Sequence, residues 1–169
     1  NQHPNLEVRK IGIGSVCSKL EFNQYSNDGL SSFKNLPQGT YGSHEDGENS
    51  CMSYMVEVST LDKELSSVPL NRSIFLKIDV QGFEKEVLDG AINLLSESRI
   101  SGIFIELMTE TKYDNYLYDY FINFLTRHGF LICDISPGFR DRHTNLMTEF
   151  DVLFLHKSFL GKHFGKKMI

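Results

Sequence analysis

A chain of 169 residues is long enough to enclose one hydrophobic core and requires no second domain. Its 22 acidic and 17 basic side chains leave a net charge of −5, a balance that argues against the basic face needed for nucleic-acid binding. The cysteines, Cys17, Cys51 and Cys133, are odd in number and form no C-x-x-C pair. That pattern argues against a disulfide framework or a zinc site and points to reduced thiols in a cytoplasmic protein.

No apolar run reaches the roughly twenty residues that cross a bilayer, so no transmembrane segment is expected. Asn1-Gln2-His3-Pro4 lacks signal-peptide character, and the chain starts without methionine close to a strand, as a fragment would. Leu6 to Ile13 and Lys19 to Tyr25 alternate apolar and polar residues, the period of strands, with Gly14-Ser15 opening their connection. Residues 26–53 are rich in Ser, Gly, Asn and Asp and exceed most structureless loops, which makes them a lid, a substrate loop or a disordered insert. Met55 to Ser59 resumes the alternation, and Thr60 to Leu65 reads as a capped helical turn.

Ser73 to Val80 is an apolar strand closing at Asp79. Behind Gln81-Gly82, the residues Phe83, Val87, Leu88, Ala91, Leu94 and Leu95 recur at helical spacing. Glu84 and Glu86 fall in the first turn, where the helix dipole favours them. Gly90 inside this pattern suggests close helix–sheet packing. Ile100 to Leu107 is a second apolar strand that closes near Glu106. A helix from a cap at Asp114 is expected to bury Leu117, Phe121, Phe124 and Leu125 and to stop at Gly129. Phe130 to Ile135 and Asp151 to His156 are two further strands, joined by a polar connection containing Arg140, Arg142 and His143. Residues 157–169 place four lysines among Phe159, Leu160 and Phe164, but two glycines interrupt the pattern. A solvated tail is therefore expected over a membrane-surface helix.

Near-continuous apolar strands alternating with helices predict an α/β fold over one domain, 1–169: a doubly wound, Rossmann-like and mostly parallel sheet covered on both faces. The closing strands are expected as an antiparallel hairpin at one edge. Parallel units ending in a reversed hairpin are the outline of class I methyltransferases.

Ligands of open α/β sheets lie beyond the carboxyl ends of the strands, which singles out Asp79 and Glu106 as candidate catalytic residues. Asp79 serves there as a base, as a carboxylate orienting substrate, or as the N-cap of the turn at Gly82. The two carboxylates also offer oxygen ligands to a divalent cation. With no third ligand visible, a polar substrate site is the better reading and no metal ligand is assigned. Gln81, Glu84 and Arg140 are the candidate substrate-binding residues, and His143 is a third catalytic candidate. Glu84 has helix-dipole reasons alone to stand where it does, and exposed loop residues such as Arg140 and His143 are commonly just solvated. His128 reads as a partner of its helix's C-terminal dipole. Asn71-Arg72-Ser73 matches a glycosylation triplet but enters a buried strand and is discounted. A hydrolase would require a nucleophile elbow, and no G-x-S-x-G is present; Cys17 and Cys133 sit in strand-like settings that favour inert thiols.

Phe75-Leu76-Lys77-Ile78-Asp79-Val80-Gln81-Gly82-Phe83-Glu84, followed by Val87-Leu88-Asp89-Gly90-Ala91, resembles the signature of the FkbM family of S-adenosylmethionine-dependent methyltransferases. Ile11-Gly12-Ile13-Gly14, Ser31-Ser32, Val58 to Asp62 and Ile103 to Glu106 resemble further segments of that family in the same order. The resemblance implies O-methyl transfer to a hydroxyl of a sugar or natural product, with a small molecule or saccharide as the substrate. It places Ile13, Gly14 and Ser15 near the adenine, where an ordinary strand-end turn is an equal reading, and assigns Asp79 and Val80 to the cofactor as well. The glycine-rich loop and the ribose-binding acidic residue of such enzymes have no counterpart. Gly12-x-Gly14 carries Cys17 where G-x-G-x-x-G needs its last glycine. The chain thus resembles the part of a methyltransferase that follows its first two strands, and weak or no binding of S-adenosylmethionine is expected. The alternative function is an inactive fragment or a non-catalytic binding module on the same fold.

Overall fold

The computed structural model describes residues 6–26, 28–36, 51–113 and 115–164. Two sheets are formed. In the first, β1 (Gly12–Ile13), β2 (Ser18–Tyr25) and β3 (Cys51–Ser59) lie in the order β1-β3-β2. β1 runs parallel to β3, with Gly12 opposite Val58, while β2 pairs antiparallel from Ser18 opposite Val58 to Tyr25 opposite Cys51. An alternating segment becomes a strand only where a neighbour supplies the ladder. β3 supplies one to Gly12 and Ile13 alone, so the strand expected from Leu6 is confined to two residues and Val8 is 79% exposed. Part of the expected long loop is ordered: Asp28–Leu30 is a 3-10 turn, Ser32 bridges to Asn23, and Cys51 to Ser53 belong to β3. Residues 37–50 lie outside the described residues.

The second sheet contains β4 (Ile74–Ile78), β5 (Ile100–Met108), β6 (Phe130–Pro137) and β7 (Glu149–His156) in the order β4-β5-β7-β6. Only β4 and β5 are parallel; β7 enters between β5 and β6 and runs antiparallel to both. The expected doubly wound, mostly parallel sheet is therefore corrected. The described residues form two separate mixed sheets with one parallel pair in each.

The covering differs as well. Ile74, Leu76 and Ile78 of β4, Ile103, Ile105 and Leu107 of β5, and Val152 and Phe154 of β7 point into one core shared with Val87, Leu88, Leu94, Leu95, Phe121 and Leu125 of the helices. The intervening residues face the other way: Phe75 is 55% exposed, Lys77 and Asp79 are exposed, and Phe104, Glu106, Asp151 and Leu153 are half-buried. The period-two alternation in Phe75-Leu76-Lys77-Ile78-Asp79 is the reason, since a strand buried on both faces would not place Lys77 and Asp79 between its apolar residues.

α1 (Leu61–Glu64) opens on Thr60, whose Oγ1 accepts the Lys63 N–H at 3.2 Å. The single helix expected after Gly82 is two, α2 (Glu84–Asp89) and α3 (Ile92–Ser96). Asp62 causes the break. Its backbone N–H takes the Gly90 carbonyl at 2.9 Å, and its carboxylate accepts the Asn93 and Leu94 N–H groups, which gives α3 a start of its own. A Cβ at Gly90 would overlap the Gly14 carbonyl oxygen, so the close packing expected at Gly90 joins the helix to the β1 end. α4 (Tyr118–Arg127) is capped at Leu117, later than expected, and Asp114 lies outside the described residues. It ends before Gly129, whose φ is 85°. α5 (Lys157–Phe164) occupies the start of the expected solvated tail. Buried His156 fastens it: Nδ1 accepts the Ser158 hydroxyl at 2.7 Å, and Nε2 donates to the His128 carbonyl at 3.1 Å. All three cysteines are exposed, so the apolar setting expected for Cys17 and Cys133 is not observed, although Cys133 does stand in β6. Among the described residues no helix is long and apolar enough to cross a membrane.

Candidate functional site

β4 closes with Ile78 opposite Ile105, so Asp79 follows beside Glu106, and Glu106 in turn faces Asp151 on β7. Lys77, Asp79, Glu106 and Asp151 thereby share the face turned away from the helices of the core. Lys77 Nζ donates to Asp79 Oδ2 at 2.7 Å. Gln81 Nε2 donates to Glu106 Oε2 at 2.7 Å and, more weakly, to Asp79 Oδ1 at 3.4 Å. One amide thus spans both candidate carboxylates.

The turn that aims it is made by two consecutive left-handed residues, Gln81 at φ 50° and Gly82 at φ 89°. Glycine is required at the second, because its φ is positive and a Cβ would stand 2.7 Å from Tyr113 Cβ. The Gln81 carbonyl accepts the hydroxyl of fully buried Ser32 at 2.7 Å. Tyr113 OH lies 3.4 Å from Gln81 Oε1 and donates to the Leu30 carbonyl at 3.2 Å.

Burial, reinforced by the charges of Glu149 and Asp79, pushes the Glu106 carboxyl up to about 7, against the opposing hydrogen bond from Gln81. Near neutral pH such a group is divided between its acid and base forms, the condition for accepting a proton. Burial and then the Asp79 charge raise Asp151. The hydrogen bond to Asp79 raises Lys77 and keeps it cationic. Glu149 is itself partnered by Lys112 Nζ at 3.1 Å. Burial, then Glu149, holds the Tyr113 phenol well above its usual range, so it stays a donor.

The other residues expected at the site lie elsewhere. Glu84, expected to contact substrate, is 3% exposed, and its Oε1 accepts the Gly82 N–H at 3.0 Å. Burial raises its pKa, opposed by amides of Glu84, Gly82 and Val80. It closes the turn from within, a task the sequence also offered to Asp79. Arg140 donates to the Asn145 carbonyl at 3.0 Å, and the His143 N–H reaches Asp141 Oδ1 at 3.1 Å. Both therefore belong to the β6–β7 connection, on the rim shared with Asp79 but in a turn of its own. Gly14 is buried, its N–H is taken by the Ser59 carbonyl, and a Cβ there would press on Val58 and Phe83. Ile13 is half-buried and Ser15 exposed on either side of it. A cavity of about 380 Å³ beside β1 is lined by Ile11, Cys17, Ser18, Glu57, Val58, Ser59, Lys63 and Glu64. None of these is a residue assigned to the cofactor. Ile13, Gly14 and Ser15 are not among the residues that line this cavity. Among the described residues no group of three or more His, Cys, Asp or Glu is placed to hold a metal ion.

Ser32, Lys77, Lys112, Tyr113, Glu149 and Asp151 are absent from the sequence-based site. Lys77 was open to detection, because it stands two residues before Asp79 on one strand and so shares its face. Glu149 and Asp151 alternate at the start of a strand, but their place opposite Met108 and Glu106 depends on a register that alternation does not define.

A family model described as the methyltransferase FkbM domain matches residues 2–132. No curated protein and no solved structure matches the chain.

Proposed function

Because the chain belongs to the FkbM methyltransferase family, we propose that it acts in O-methyl transfer from S-adenosylmethionine to a hydroxyl of a sugar or related natural product, with Asp79 and Glu106 on the acceptor side. The observation that carries this reading is the Gln81 amide bonded to Glu106 at 2.7 Å and reaching Asp79 at 3.4 Å, which makes one polar site of two strand ends. A hydroxyl becomes a competent nucleophile when it loses its proton as the new bond forms. Glu106, held near neutrality, takes that proton. Asp79, paired with Lys77 Nζ at 2.7 Å, orients the hydroxyl by accepting from it. The carboxylates at the rim suit an acceptor rich in hydroxyl donors. Glu84 has no part in substrate binding here, being buried and engaged with the turn.

The engaged Gly14 favours a second reading, a binding module for polyhydroxylated molecules on the same fold. S-adenosylhomocysteine release, measured at millimolar S-adenosylmethionine against a panel of sugars, separates the two. Methyl transfer predicts release that falls about 10²-fold or more in Asp79→Asn and Glu106→Gln. Sugar binding without any release establishes the module, and undiminished release in both variants removes the carboxylates from the reaction.

A further inference from the structure

We propose that Gln81 is a positioning residue that holds Asp79 and Glu106 as a pair, with Ser32 setting its backbone and Tyr113 setting the orientation of its amide. The pair's role in methyl transfer rests on the reading above, whereas the strut itself rests on geometry alone. Gln81 was expected to meet substrate. Its polar atoms are instead committed within the protein: Nε2 to the carboxylates, Oε1 toward the Tyr113 hydroxyl, and the backbone carbonyl to Ser32 Oγ.

The chemistry allows one orientation of that amide. Ionised carboxylates only accept hydrogen bonds, so the NH2 faces Glu106 and Asp79 and the oxygen is left to the Tyr113 side, where the single phenolic proton serves either the Leu30 carbonyl at 3.2 Å or Gln81 Oε1 at 3.4 Å. The reversed amide would set a carbonyl oxygen against each carboxylate. Position 81 is also left-handed, a conformation that a residue with a Cβ adopts only when its surroundings hold it there. Ser32 provides the hold: it is fully buried, its hydroxyl donates to Gln81 at 2.7 Å, and the same oxygen accepts the Lys34 N–H at 3.0 Å. Tyr113 OH reaches Leu30 as well as Gln81. The segment around Leu30 and Ser32, which leads into the long β2–β3 connection, is thereby tied to the carboxylate pair at two points.

The readout is the titration of the Glu106 carboxyl carbon by NMR in the whole chain, with thermal unfolding as the control for folding. Gln81 donates to the ionised form, so Gln81→Met raises the Glu106 midpoint by about one pH unit, the size expected for a charge-assisted hydrogen bond. Asp79, Glu149, Asp151 and Lys77 also act on Glu106 and are unchanged in this variant. Tyr113→Phe and Ser32→Ala move the midpoint the same way by less, because they loosen the amide without removing it. A midpoint that stays or falls in Gln81→Met overturns the proposal, and if that variant does not fold, Tyr113→Phe decides by the same criterion. Methyl transfer is not read in this experiment. An unmoved midpoint sinks the strut and leaves the proposed activity to its own assay, and absence of transfer leaves a shifted midpoint standing.

Discussion

Replacing Glu106 with glutamine keeps the shape of the side chain and an acceptor for Gln81 Nε2, and removes the charge that the rim disfavours. The native carboxyl titrates at about 7, against 4.5 for an ordinary glutamate. A raised native pKa means that the folded state holds the proton more tightly than the unfolded chain does. The associated stability is complete below 4.5 and is lost as pH rises from there through about 7. The full difference converts to about 3 kcal/mol, and solvent screening at a half-buried rim reduces it to about 1–2 kcal/mol. Glu106→Gln should therefore stabilise the fold by about 1–2 kcal/mol near pH 8 and change it little near pH 4. Urea unfolding across that range, with the slope against denaturant checked for constancy, measures it. Equal effects at both ends of the range, or destabilisation at the alkaline end, would refute the assignment of Glu106 as a carboxyl disfavoured in its ionised form.

Gly90→Ala should cost about 1–3 kcal/mol in thermal or urea unfolding, because the new Cβ meets the Gly14 carbonyl oxygen with no flexible side chain to yield. Gly161→Ala in α5 is its control: nothing lies within 4 Å, so that variant should gain up to about 1 kcal/mol from helix propensity. Calorimetry with S-adenosylmethionine and this chain should show weak or no binding, since Gly14 is packed and its N–H is taken. Tight binding would show that a donor cradle forms despite this packing.

The rim was legible in the sequence because a strand's last residues can be read from where its apolar alternation stops. Asp79 and Glu106 were located that way. The acidic pair Glu149 and Asp151 was not, because β7 pairs antiparallel between β5 and β6, a choice made by contacts remote in sequence. The misjudged covering of the sheet has a different, local cause. Ser73 to Val80 is apolar enough to suggest burial on both faces, yet Phe75, Lys77 and Asp79 alternate with the buried residues and point away from the core. The split between α2 and α3 was hidden by a remote contact, since Asp62, far upstream, supplies both the diversion of Gly90 and the cap. Glu84 shows the converse case: its position in a first helical turn was correctly read, while its burial beneath that turn required the Gln81–Gly82 geometry to be known.

Asp79 and Glu106 are required to behave as one electrostatically coupled pair. Carbon-detected NMR titration of Glu106 in the unaltered chain and in Asp79→Asn tests this directly. A midpoint of about 7 that falls when the Asp79 charge is removed is the predicted result. An ordinary glutamate midpoint of about 4.5, or one that does not respond to Asp79→Asn, would contradict it.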